Sequence, residues 1–342
     1  MIYVVMAYLW ASILLYLLLG GADFGAGIVE LFTSKKNRSR TRHTAYRAIG
    51  PVWEANHMWL IIAIVILFVG FPVIYATVSL YLHIPLLLML TGIIARGTAL
   101  TFRHYDAVAD DMQKIYSRIF VYSSFVTPFF LGIIAGSTVS GKIDTEAASF
   151  TDAYIFSWLH PFSLSVGLFT VTICGLLAAV YLIGEAAEAG DRQRYVRKAR
   201  VWHTLSMCCG ALVFLAAWYD GIPLVQWVFG QTTGAVGVAL ALAAALVFRL
   251  RIARAESSLL RVLAAFQVAM ILLVTTYYHY PDILLLKNGG HLSLLEHHGQ
   301  EKTIGALAWA LLLGSVFILP ALFYLMYAFQ KKNQYEKGGE PY

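Results

Sequence analysis

The chain has 342 residues, of which 59% are hydrophobic and 13% charged, with a formal net charge of +6. A soluble domain carries about 25% charged residues, so this composition excludes the soluble globular class and specifies an integral membrane protein. The positive balance does not point to nucleic acid, because its distribution along the chain is topological.

Apolar runs long enough to cross a bilayer, about 20 residues each, lie near 2–32, 51–70, 75–100, 117–137, 160–184, 203–220, 222–248, 257–279 and 303–330. They predict an all-α membrane protein of nine transmembrane helices, one membrane domain spanning 1–342. The run from Ile2 is too long for the apolar region of a cleavable signal and continues directly into Ala22–Phe32. Helices six and seven are separated only by Asp220-Gly221-Ile222-Pro223.

Basic residues fill alternate connections. Lys35, Lys36, Arg38, Arg40, Arg42 and Arg47 follow helix one, and Arg96, Arg103, Lys114 and Arg118 flank the connection after helix three. Arg192, Arg194, Arg197, Lys198 and Arg200 follow helix five; Arg249, Arg251, Arg254 and Arg261 follow helix seven; Lys331, Lys332 and Lys337 follow helix nine. The other connections hold only Lys142, Lys287 and Lys302. The positive-inside rule therefore predicts the N-terminus outside and the C-terminus in the cytoplasm. Asp23 and Glu185 each end a helix before a basic loop, which allows a 4 + 4 + 1 grouping, although the internal similarity is too weak to define a repeat.

Gly20-Gly21-Ala22-Asp23-Phe24-Gly25-Ala26-Gly27 is not a dinucleotide fingerprint, because 20 apolar residues precede it instead of a strand and turn. Gly21 and Gly25 form a small-xxx-small pair suited to close helix packing, which leaves Asp23 unexplained. The second helix opens with Gly50-Pro51-Val52-Trp53-Glu54-Ala55-Asn56-His57-Met58-Trp59. Polar groups so placed must face protein or water. Interfacial anchoring by the tryptophans, with Glu54 at the positive helix end, is the competing reading. The predicted topology puts Asp23, Glu54 and Arg96 at one depth near the cytoplasmic side, either as an ion pair fixing helix register or as a proton-accessible polar cluster.

Cys174, Cys208 and Cys209 lie in apolar runs, and no C-x-x-C occurs, so neither a metal knuckle nor covalent haem attachment is supported. No histidine falls at mid-membrane, which gives no positive case for a haem ligand or a metal site in this chain.

Three motifs in order and spacing carry a resemblance. Gly21-x-Asp23-x-Gly25-x-Gly27, then Gly50-Pro51-x-Trp53-Glu54-x-Asn56-x-x-Trp59-Leu60-Ile61, then Arg96-Gly97-x-x-x-x-Phe102-Arg103 resemble subunit II of cytochrome bd-type quinol oxidases. Glu54 stands where many members have Asp, and His57 where Gln or Glu is usual. The resemblance implies a bacterial or archaeal plasma-membrane complex that oxidises quinol and reduces O₂ to water. It implies a larger partner, subunit I, holding two b-type haems and one d-type haem, with none ligated by this chain and no catalytic residue in it. A small single-helix accessory subunit and membrane lipid are further implied partners. A proton-coupled transporter and a pure assembly scaffold are the alternatives; the transporter expects Gly/Pro-broken helices at the midplane.

Overall fold

The computed structural model describes residues 1–50, 52–105 and 111–338. Pro51, expected as the first residue of helix two, lies outside them. Helix α1 (Ile2–Leu15) passes through a π-helical turn (Tyr16–Gly20) into α2 (Gly21–Leu31). There follow α3 (Lys35–Ile49), α4 (Trp53–Gly70), α5 (Pro72–Tyr81), α6 (His83–Tyr105), α7 (Asp111–Val139) and α8 (Phe150–Tyr154). The second half comprises α9 (Pro161–Glu185), α10 (Ala189–Tyr219), α11 (Leu224–Phe229), α12 (Thr232–Arg251) and α13 (Ser257–His279). A hairpin of β1 (Asp282–Leu285) and β2 (His291–Ser293) leads to α14 (Glu301–Gly338). Among the described residues, nine helices are long and apolar enough to cross a membrane.

Several expected boundaries move, each for a local reason. Helix three, expected at 75–100, is two helices, α5 and α6, broken at Leu82. Pro85 has no N–H to offer the Tyr81 carbonyl, and its ring would crowd that carbonyl in a continuous helix. Helix six starts at Ala189 instead of 203, because Tyr195, Val196, Ala199 and Trp202 form a buried stripe at helical spacing beneath the arginines. Helix seven, expected at 222–248, is split into α11 and α12 where Gln231 adopts an extended backbone beside Gly230. The basic stretch after helix one is itself the amphipathic helix α3, with Thr41, Ala45, Ala48 and Ile49 buried.

Helix α9 is the axis of the molecule, packed against α2, α7, α10 and α13. The pairings repeat: α1–α4, α6–α7 and α2–α7 in the first half match α9–α10, α12–α13 and α9–α13 in the second. The α2–α9 and α7–α9 pairs join the halves, while α14 rests on α1 and α4, giving the 4 + 4 + 1 arrangement. In lipid the hydrophobic effect does not press helices together, so dispersion at close backbone approach has to. The α2–α9 joint is built that way. A Cβ on Gly25 would overlap the Cys174 carbonyl, and Gly21 lies against Leu177 and Cys174.

The less basic ends of the helices carry the two longer connections, which join each other. Ile143 and Leu286 form a parallel bridge, Lys287 reaches Asp144 at 2.8 Å, and Asn288 donates to Glu146 at 3.0 Å. This ion pair holds the Asp144 carboxyl below its ordinary value and the Lys287 ammonium above its own. Asp220, just past α10, accepts from the Phe162 N–H at 2.8 Å and lies 3.2 Å from His160 Nδ1, so it caps the start of α9. Burial pushes the His160 imidazole down, with the Asp220 carboxylate opposing.

Candidate functional site

The motif residues converge where α2, α4, α6 and α7 meet. The π-helical turn that precedes α2 packs the Tyr16 ring over Gly20, and single-turn π segments recur at functional sites. Asp23, 2% exposed, then faces the interior of the first half. Its carboxylate accepts from Asn56 Nδ2 at 2.9 Å. Arg96, 1% exposed, donates from Nη2 to the Asp23 backbone carbonyl at 2.9 Å and from Nε to Ser124 Oγ on α7 at 3.2 Å. Its guanidinium lies 5.0 Å from the Phe24 ring centre and 5.2 Å from that of Phe120. Gly27 is what admits α7 to this depth, since a Cβ there would overlap Ser124.

The geometry divides the three residues expected to cluster. Asp23 and Arg96 meet, but through the main chain: among the described residues, no cation lies within ion-pair distance of the Asp23 carboxylate. Glu54 is exposed and makes no hydrogen bond or ion pair among the described residues. Two residues advance a helix by about 200°, so Asn56 facing Asp23 turns Glu54 to the other side of α4. Trp53 rests on Gly97 and, with Tyr16 and Phe24, surrounds the His57 ring at centroid distances of 5.6 to 5.9 Å. Trp59 is half-buried further along α4. Gly50 closes α3, its N–H donating to the Tyr46 carbonyl at 2.7 Å.

A second rung lies below the first. Glu30, fully buried, accepts from Arg42 Nε at 2.9 Å and from Arg103 Nη2 at 3.2 Å. Arg103 covers the opposite end of the Phe120 environment, 4.9 Å from the ring centre. Asp23 to Glu30 and Arg96 to Arg103 are both steps of seven residues, about two turns, so the same two helices meet at both rungs through long arginine side chains. Sequence reasoning used Arg103 as a topology and motif residue and missed Glu30. The shared seven-residue step was the signal that pairs them.

Haem needs an open imidazole, thiolate or thioether facing a cavity. Among the imidazoles of the described residues, His203 lines a cavity between α10 and α12. His57 is ringed by three aromatics, His203 stacks on Phe248 at 4.7 Å, His279 meets Trp227 at 4.4 Å, and His160 is bonded to Asp220. No group of three or more His, Cys, Asp or Glu able to hold a metal occurs among the described residues.

The sequence matches the family described as cytochrome bd terminal oxidase subunit II over residues 1–329. It is 23% identical over 263 residues to cytochrome bd ubiquinol oxidase subunit 2 of Bacillus subtilis (strain 168), covering 68% of this chain and 75% of that protein. It is 26% identical over 219 residues to cytochrome bd-I ubiquinol oxidase subunit 2 of Escherichia coli (strain K12), covering 61% of this chain and 56% of that protein. The fold is similar to the structure of bd oxidase from Geobacillus thermodenitrificans, with a TM-score of 0.76 at 21% identity over 96% of this chain and 98% of that one. With a family match over almost its whole length and nine membrane-length helices among the described residues, the chain belongs to the cytochrome bd terminal oxidase subunit II family and is a multi-pass bacterial plasma-membrane protein.

Proposed function

We propose that this chain works as subunit II of a terminal quinol oxidase, beside a haem-bearing subunit I, and that its first half brings protons toward the reaction. Reducing O₂ to two waters consumes four electrons and four protons, so a membrane oxidase needs a proton route to its buried centre. The observation that carries the reading is the Asp23 carboxylate, buried and met by the Asn56 amide instead of a cation. Such a carboxyl exchanges a proton without first breaking an ion pair, whereas Glu30, held by two arginines, does not. Arg96 positions the helix turn that carries Asp23, and Glu54, exposed on the far side of α4, is the entry or partner-facing group.

In this reading the N-terminus is outside and the basic ends are cytoplasmic, which puts Asp23 and Glu54 near the side that supplies protons. The two b-type haems and the d-type haem belong to subunit I, which also takes the quinol, and this chain ligates none. The aromatic packing around His57 and His279 supports that assignment. A small single-helix subunit and bound lipid complete the complex.

The test is Asp23→Asn and Glu54→Gln, separately, in the whole oxidase. Both variants keep shape and hydrogen bonding but do not titrate. Relay predicts normal haem content with quinol oxidase turnover lost for Asp23→Asn and lowered for Glu54→Gln, with a changed pH profile. Normal haem content with unchanged turnover in both variants removes the cluster from proton movement. Failure to assemble instead assigns Asp23 to scaffolding.

A further inference from the structure

A groove between α10 and the end of α12 has two parts. At the basic end a cavity of about 390 Å³ is lined by Arg192, Arg197, Arg200 and Arg254. Deeper along the same two helices lies a second cavity of about 320 Å³, walled by Met207, Leu242, Ala245 and Leu246. Arg249 sits where the two meet, donating to Thr204 Oγ1 at 3.0 Å and to the Arg200 carbonyl at 3.3 Å. Arg192 is fixed to the Ala255 carbonyl at 2.6 Å, on a residue in the left-handed conformation.

The carboxylates nearby are engaged elsewhere. Glu188 pairs with Arg40 at 3.0 Å, and Asp191 with Arg194 at 3.0 Å. Among the described residues, Arg192, Arg197, Arg200 and Arg254 have no carboxylate within ion-pair distance. The positive-inside bias accounts for arginines in this connection. It does not account for four of them converging on one cavity that continues into an apolar trough.

We propose that the α10–α12 groove binds an anionic glycerophospholipid, with its phosphodiester among these four arginines and one acyl chain along Met207, Leu242 and Leu246. Arginine suits phosphate because its planar fork gives paired charge-assisted hydrogen bonds. Basic pockets between membrane helices at their cytoplasmic ends hold such headgroups. The apolar continuation selects lipid over free phosphate: from Arg192 to Met207 the helix rises about 22 Å, deep enough to leave the headgroup layer. The proposal needs only the membrane-spanning fold and is independent of any proton role for Asp23.

The experiment is native mass spectrometry of the complete oxidase exchanged into detergent with equal phosphatidylglycerol and phosphatidylethanolamine. Wild type should retain phosphatidylglycerol preferentially. Arg197→Gln, Arg200→Gln and Arg254→Gln should each lower that preference about fivefold, and Arg251→Gln, an exposed arginine outside the cavity, should leave it unchanged. Leu246→Trp fills the trough and should release the lipid while inorganic phosphate still binds. Preference surviving the combined removal of Arg197, Arg200 and Arg254 overturns the proposal. So does Leu246→Trp leaving phosphatidylglycerol bound, or inorganic phosphate displacing it completely, which makes the site one for a free anion. A photoactivatable phosphatidylglycerol in native membranes gives a reading on the unmutated complex, and failure to label α10 or α12 rejects the site whatever the variants do.

Discussion

The two four-helix halves share one device and use it at different depths. In the first, Arg96 donates to the Asp23 carbonyl and lies over the neighbouring Phe24 ring. In the second, Arg261 donates to the Tyr181 carbonyl at 2.9 Å and lies 4.3 Å from the Tyr181 ring centre. Each arginine thus clamps the main chain of the first helix of its half. The difference lies in what accompanies the clamp. Arg261 is about a third exposed and reaches the Glu185 carboxylate at 3.2 Å, at the rim. Arg96 is 1% exposed, and the carboxylate beside it is bonded to an amide. The rim version includes an ion pair, whereas the deep version leaves the neighbouring carboxylate on an amide.

The largest effect should come from removing the joint on which the comparison rests. Gly25→Val drives two methyl groups and a Cβ into the Cys174 backbone, and overpacking of this kind costs about 1–3 kcal/mol even where neighbours can yield. Backbone cannot yield, so we expect almost no assembled complex, measured as haem-containing oxidase per cell. Full assembly would mean that α2 and α9 do not need this approach.

Next come the two clamps, compared directly. Arg96→Met should cost about 3–6 kcal/mol, from two buried hydrogen bonds to a charged group at about 1.5–3 kcal/mol each. Arg261→Met, at the rim, should cost about 1.5–3 kcal/mol, the range for one hydrogen bond to a charged group. Thermal loss of haem absorbance in the two purified variants gives the order. Equal destabilisation would show that depth is not what separates the halves.

Within the first half, Glu30→Gln sharpens the contrast between its rungs. It removes the acceptor charge for Arg42 and Arg103, so stability should fall by about 2–4 kcal/mol while the pH profile of turnover keeps its shape. A pH profile displaced as far as in Asp23→Asn would move the proton role to the lower rung.

The smallest effect belongs to the Asp144–Lys287 pair between the connections. Asp144 contributes above the ordinary carboxyl value of about 4, and its share is lost as pH falls through its depressed one. Lys287 contributes below its ordinary value of about 10.4, and its share is lost as pH rises through its raised one. Hydrogen-exchange protection over 282–293, relative to the intrinsic rate, should therefore be flat across neutral pH and fall in acid and again in strong base. Lys287→Ala should leave assembly unchanged, as expected for an exposed pair. Increased exchange already at pH 7 in the wild type would show that the pair does not hold the connections together.

The sequence alone determined the number of apolar spans, the alternation of basic connections and the glycine packing of α2. These follow from transfer energy per residue and from local spacing, which a linear chain displays. Tertiary structure decided which groups touch. Asn56 and Glu54 are two residues apart in one motif, and only the rotation of α4 about its axis selects the amide over the carboxylate. Glu30 stands out only in the fold, where α3 and α6 bring Arg42 and Arg103 to it. The break at Leu82 was legible in Pro85 but was overridden by continuous hydropathy, and the hairpin at 282–293 was hidden because its strands are short and pair in a loop. Helix phase and helix neighbours are set by packing across the whole bundle, and no window of sequence contains them.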